Sequence, residues 1–75
     1  MIEATIAIVV NGEPRDVPAG ATVAGLLADL GRDPRTVAVE LNGDILPRAR
    51  YAERPLAAGD RLEVVHFVQG GSNGR

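Results

Sequence analysis

The sequence predicts an α+β fold, a mixed sheet of four or five strands with one main helix packed across it, and three observations carry that prediction. Apolar residues alternate with a period of two around residues 3–10, 36–41 and 61–68. One stretch alone, residues 22–31, repeats its apolar residues with a helical period. Asn-Gly pairs at positions 11–12 and 42–43 stand where hairpins would close.

In residues 3–10, rich in β-branched side chains, Ile6, Ile8 and Val10 fall on one face and Thr5, Ala7 and Val9 on the other. Asn11 and Gly12 accept the positive φ angles of a tight turn. The second strand, residues 13–17, contains Pro14 and is followed by Pro18. Each proline removes a ladder donor, which predicts an edge strand or a short irregular one. Thr22 is a suitable N-cap, and Val23, Leu26, Leu27 and Leu30 follow it at i, i+3, i+4 and i+7. Gly31 is placed to end the helix in the left-handed conformation, and Pro34 prevents its continuation. A helix of about nine residues does not persist alone, so its leucine stripe must dock on the sheet.

Val37, Val39 and Leu41 alternate with Thr36, Ala38 and Glu40, the second turn follows at Asn42 and Gly43, and Ile45 and Leu46 form a short returning strand. Residues 47–55 read as a loop carrying Arg48, Arg50 and Arg54, with room for one helical turn around Tyr51, Ala52 and Glu53. Ala58, Gly59 and Asp60 make the last turn, and residues 61–68 the last strand. The order β-β-α-β-β-β with one helix across the sheet is the β-grasp architecture. Residues 1–69 form one domain, and residues 70–75, containing Gly70 and Gly71, a flexible tail.

Composition narrows the function. With 75 residues the chain is near the lower limit for a core that holds without staples, and with no cysteine it has neither disulfide nor thiolate chemistry. All 8 basic residues are arginine, so no lysine is available as an amine nucleophile. A net charge of −2 and a near absence of aromatic residues oppose nucleic-acid binding. No leader and no membrane-spanning run is read, so a cytoplasmic location is expected. The lone histidine, His66, lacks co-ligands for a metal. Asp29 with Asp33, and Asp60 with Glu63, read as solvated carboxylates.

The last strand says most about surfaces. Arg61 and Glu63 mark its solvent face, and the period of two places Val65 and Phe67 on that face as well. Outward Val65 and Phe67 read as a partner surface; the competing reading has Phe67 covering the rim of the core. The same alternation turns His66 toward the core, as a hydrogen-bonded structural histidine. Arg48, Arg50 and Arg54 read either as a docking patch for an acidic partner or as a solvated loop.

The strand passes directly into Gly70 and Gly71. A glycine carboxylate at a chain end can be threaded into a narrow active site, because no Cβ obstructs it. With Val10 to Glu13, residues 17–27, residues 37–48 and residues 59–68, this ending resembles the ThiS family of ubiquitin-like β-grasp proteins, sulfur carriers of thiamine biosynthesis, over about residues 6–71. The resemblance implies a protein cosubstrate without catalytic residues and without a bound cofactor. It implies that a ThiF-like adenylyltransferase uses Mg-ATP to adenylate the Gly71 carboxylate, and that a cysteine desulfurase supplies sulfur to give a thiocarboxylate. A ThiG-like thiazole synthase would then take that sulfur. Gly70 and Gly71 would be the reactive end, and Val65, Phe67, Val68, Gln69, Arg48 and Arg50 would contact the partners. Carriage of sulfur to molybdopterin or another metabolite, and a plain β-grasp interaction module, are the competing readings. Two departures stand out: about four extra residues before the first strand, and Ser72, Asn73, Gly74 and Arg75 after the second glycine. While that extension remains, Gly71 has no free carboxylate. Either a peptidase removes it, or the extension is foreign to the carrier.

Overall fold

A computed structural model describes residues 4–67. Five strands and one α-helix follow in the order β1 (Thr5–Val10), β2 (Glu13–Pro18), α1 (Val23–Asp29), β3 (Val37–Leu41), β4 (Asp44–Leu46) and β5 (Arg61–His66), with 3-10 turns at Pro34–Thr36 and Arg48–Arg50. The strands form one sheet in the order β2-β1-β5-β3-β4, in which β1 and β5 are parallel and the other neighbours antiparallel. The expected β-grasp order and mixed sheet are therefore present, with five strands.

Both hairpins close as predicted. Asn11 and Gly12 have φ of 51° and 81°, and Asn42 and Gly43 have 53° and 90°, the paired positive values of a two-residue turn whose twist matches the strands. The two asparagines do more than turn the chain. Asn11 Nδ2 donates to the Val64 carbonyl at 3.3 Å and its Oδ1 accepts from the Val64 N–H at 2.7 Å. Asn42 Oδ1 accepts from the Arg61 N–H at 2.9 Å on the other side of β5. The parallel register of β1 and β5 covers only Val9 with Arg61 and Val10 with Leu62, so the Asn11 side chain continues a ladder whose backbone has turned away.

Pro14 and Pro18 cost the sheet little. Gly59 N–H bonds to the Ala7 carbonyl, and Val9 N–H and Asn11 N–H bond to the carbonyls of Asp60 and Leu62, so the odd-numbered residues of β1 face β5. Ile6, Ile8 and Val10 are left to face Val17, Arg15 and Glu13 of β2, which turns Pro14, Asp16 and Pro18 to the outer edge.

The Thr22 side chain accepts from the Gly25 N–H at 3.1 Å and so caps α1. At the other end Gly31 has φ 71°, Gly31 N–H bonds to the Ala28 carbonyl and Arg32 N–H to the Leu27 carbonyl, a Schellman closure. The helix is two residues shorter than the expected nine, with 7 residues. Its Val23, Leu26 and Leu27 pack with Ile8, Val39 and Leu62 of the sheet, all at most 1% exposed. Tyr51 and Leu56 from the long connection are also buried, and the Tyr51 hydroxyl donates to the Val37 carbonyl at 3.4 Å. The helical turn expected around Tyr51 begins earlier, at Arg48–Arg50. The boundary expected between residues 69 and 70 lies outside the described residues.

Asn11→Ala should lower stability by about 2 kcal/mol, because both Val64 partners lose their bond and alanine is strained at positive φ. Thermal unfolding should show a fall of about 8–16 °C. Asn11→Gly relieves the strain alone and should recover only part of the loss.

Candidate functional site

The helix covers one face of the sheet, and the other face is open. In β5, Leu62 is 1% exposed and Val64 half-buried beneath the helix, while Arg61, Glu63 and Val65 are exposed on the opposite face. Val65 is 57% exposed and Phe67, just past the strand, 41%. Both side chains thus stand where the alternation placed them. Phe67 N–H still bonds to the Thr36 carbonyl at 2.8 Å, so the pairing of β3 and β5 holds the backbone to the end of the described chain.

Sequence reasoning overlooked a third apolar member of this face. Ile45 lies opposite Glu40 in the register of β3 and β4 and is 67% exposed. The signal was available: a two-residue turn at Asn42 and Gly43 fixes Leu41 against Asp44 and therefore Glu40 against Ile45. Where β4 leaves the sheet at Pro47, a notch opens beside β3, lined by Ala38, Ile45, Pro47, Arg48, Tyr51 and Phe67 among others. Arg48 and Phe67, both predicted to contact partners, are brought together there. Arg50 is exposed but does not line the notch, and Val68, Gln69, Gly70 and Gly71 lie outside the described residues.

Two expectations are corrected. His66 is exposed, although alternation assigns it to the core side. Its ladder partner Val37 is 2% exposed, so the covering layer, which includes Tyr51, reaches β3 at this level without closing over the end of β5. Asp60 is 6% exposed, not a solvated turn carboxylate. It accepts from Ala57 N–H at 2.8 Å and from Asn42 Nδ2 at 3.0 Å, and the Arg54 guanidinium lies 3.7 Å away. Arg54 is thereby committed to the fold, and the arginine loop leaves only Arg48 and Arg50 turned to solvent.

Asp33 caps the 3-10 turn before β3. Hydrogen bonds from the Arg35 side chain, and then from its backbone N–H, hold the Asp33 carboxyl below the usual aspartate value, and the same pair raises Arg35. That stabilisation is present above the ordinary aspartate range and is lost as pH falls through the lowered value. A second groove on the helix side is lined by Val10, Glu13, Arg15, Leu30, Arg32 and Val64 among others. Among the described residues no group of three His, Cys, Asp or Glu is set to hold a metal ion, and no helix is long and apolar enough to cross a membrane.

A β-grasp sheet whose open face carries exposed Ile45, Val65 and Phe67 beside charged residues is now joined by a match in sequence: the ThiS family model covers residues 8–71. The chain belongs to the ThiS family. ThiS proteins are small sulfur carriers of thiamine biosynthesis and not catalysts. The chain is 41% identical over 61 residues to the sulfur carrier protein ThiS of Thermus thermophilus, covering 81% of this chain and 94% of that protein. The crystal structure of the thiamine biosynthesis protein ThiS of Geobacter metallireducens superposes with a TM-score of 0.75 at 33% identity, covering 88% of this chain and all of that one. A thiazole synthase of Paramagnetospirillum magneticum is 48% identical over 66 residues, which are 88% of this chain and 20% of that protein. The chain thus spans about a fifth of the length of the thiazole synthases that it matches.

Phe67→Ala should lower stability by less than about 2 kcal/mol in urea unfolding, because the ring is already part solvated. Leu62→Ala, in the core, should cost about 2–5 kcal/mol.

Proposed function

We propose that this chain carries sulfur for thiazole formation on the carboxylate of Gly71. The observation that carries the reading is the extent of the family match, which ends on Gly71. A carboxylate is a poor electrophile, so it must first gain a leaving group. One Gly71 oxygen attacks the α-phosphorus of Mg-ATP in a ThiF-like adenylyltransferase, pyrophosphate departs, and an acyl adenylate forms. The terminal sulfur of a persulfide, made by a cysteine desulfurase, attacks the acyl carbon and AMP departs. A thiol then cleaves the acyl disulfide and leaves the thiocarboxylate. A ThiG-like thiazole synthase accepts the sulfur, a reading supported by the thiazole synthases that contain a matching segment.

In this scheme the chain is a cosubstrate. The sheet presents Val65, Phe67 and Arg48 beside the root of the reactive end, and these, with Arg50, Val68 and Gln69, contact the enzyme that receives it. The glycines at 70 and 71 are required because ordering a chain in a channel costs about 1–2 kcal/mol per residue, and most for glycine, which only a steric need for a slender end offsets.

The chemistry demands a free carboxylate, so residues 72–75 must be absent or removed before adenylation. A chain ending at Gly71 should support ATP-pyrophosphate exchange by the adenylyltransferase of the same genome, and the 75-residue chain should not. Equal exchange by both would reject Gly71 as the activated residue. Phe67→Ala in the shorter chain should raise the carrier concentration needed for half-maximal exchange at least tenfold.

A further inference from the structure

On the open face, Glu40 of β3 and Glu63 of β5 stand directly opposite each other. Ladder bonds bracket the pair, Asn42 N–H to the Arg61 carbonyl on one side and Phe67 N–H to the Thr36 carbonyl on the other, both at 2.8 Å. Directly opposed residues on one face hold their Cβ atoms about 5 Å apart, and like charges so placed repel. Both side chains are exposed, and neither forms an ion pair among the described residues. Arg61, on the same face two residues along β5, forms none with either carboxylate. The pair is also enclosed on two sides by apolar surface. Ile45 is the cross-strand neighbour of Glu40, and the next pair along the ladder is Ala38 with Val65, followed by Phe67.

Among the described residues two carboxylates therefore stand without an ion pair at the border of the exposed apolar residues, with Arg61 lining the same shallow cavity. Covering that surface with an uncharged protein surface would strip water from both carboxylates with nothing in return. A cation set among apolar side chains instead relieves the repulsion already present, and gains charge-assisted hydrogen bonds. We propose that the face formed by Glu40, Glu63, Ile45, Val65 and Phe67 docks on the adenylyltransferase through a guanidinium or ammonium group that the enzyme inserts between the two carboxylates. This rests on the carrier reading above and names the determinant that selects the partner. The choice of enzyme follows from its substrates. A site that gathers a triphosphate and an incoming carboxylate must carry positive potential at its mouth, and the carboxylate pair lies on the face that adjoins the root of the reactive end.

The test measures affinity of the 75-residue chain for the adenylyltransferase of the same genome by calorimetry at 50 and 500 mM NaCl. Glu40→Gln with Glu63→Gln should weaken binding at least tenfold at the lower salt and flatten the salt dependence, while the melting temperature of the carrier holds or rises. Asp29→Asn with Glu53→Gln changes net charge equally at exposed positions elsewhere and should bind like the parent. Unchanged affinity in the Glu40 and Glu63 variant overturns the proposal while leaving the carrier reading intact. So does a loss confined to thiazole synthase, a fall in melting temperature, or stabilisation of the parent alone by Mg²⁺, which would make the pair a cation site. If the parent binds no adenylyltransferase and its Gly71-ended form supports no exchange, the carrier reading fails and this inference fails with it.

Discussion

Everything the sheet presents depends on how β5 is held. It is the central strand, and its partners reach it from distant parts of the chain: β1 from the start, in parallel, and β3 from the middle, antiparallel. Parallel pairing here is short, and the Asn11 side chain supplies the bonds to Val64 that β1 no longer can. On the opposite flank Asn42 binds Arg61 N–H and Asp60 together. The same two residues that permit left-handed turns thus fix β5, the strand nearest the C-terminal end of the described chain. Loss of either would be felt as a shift of β5, and so of the surface beside that end.

This arrangement divides labour between the two faces. Burial under α1 supplies stability through Leu26, Leu27 and Leu62, and none of those residues is free to meet a partner. The open face contributes little to the core, so Ile45, Val65 and Phe67 can be apolar and exposed without a competing structural duty. With such a separation, residues of the open face can change without loss of the fold.

Much of the fold was legible because its signals are local. Asn-Gly pairs, the Thr22 cap, the Gly31 stop and the alternation in β3 each depend on residues within one turn or one strand, and each was found in its expected place. His66 was misread because a period of two tells which face a residue takes, but not how far the second layer extends over that face. Asp60 was misread because its burial depends on Asn42, 18 residues away, and on Arg54 folding back across it. The paired carboxylates Glu40 and Glu63 required a register between strands that no local pattern contains. Membership of the family was the reverse case, legible from sequence motifs over residues 8–71 and not from geometry.

The prolines of β2 have a consequence for company as well as for folding. With Pro14 and Pro18 turned to the outer edge, that side offers one N–H, from Asp16, to any strand that approaches. The opposite edge ends in β4, only 3 residues long. Among the described residues neither edge therefore offers a long continuous row of donors on which a second copy or an extended segment could zip. Among the described residues the sheet thus keeps its hydrogen-bonding edges short or interrupted, while its exposed apolar side chains, Ile45, Val65 and Phe67, stand on the open face and not along an edge.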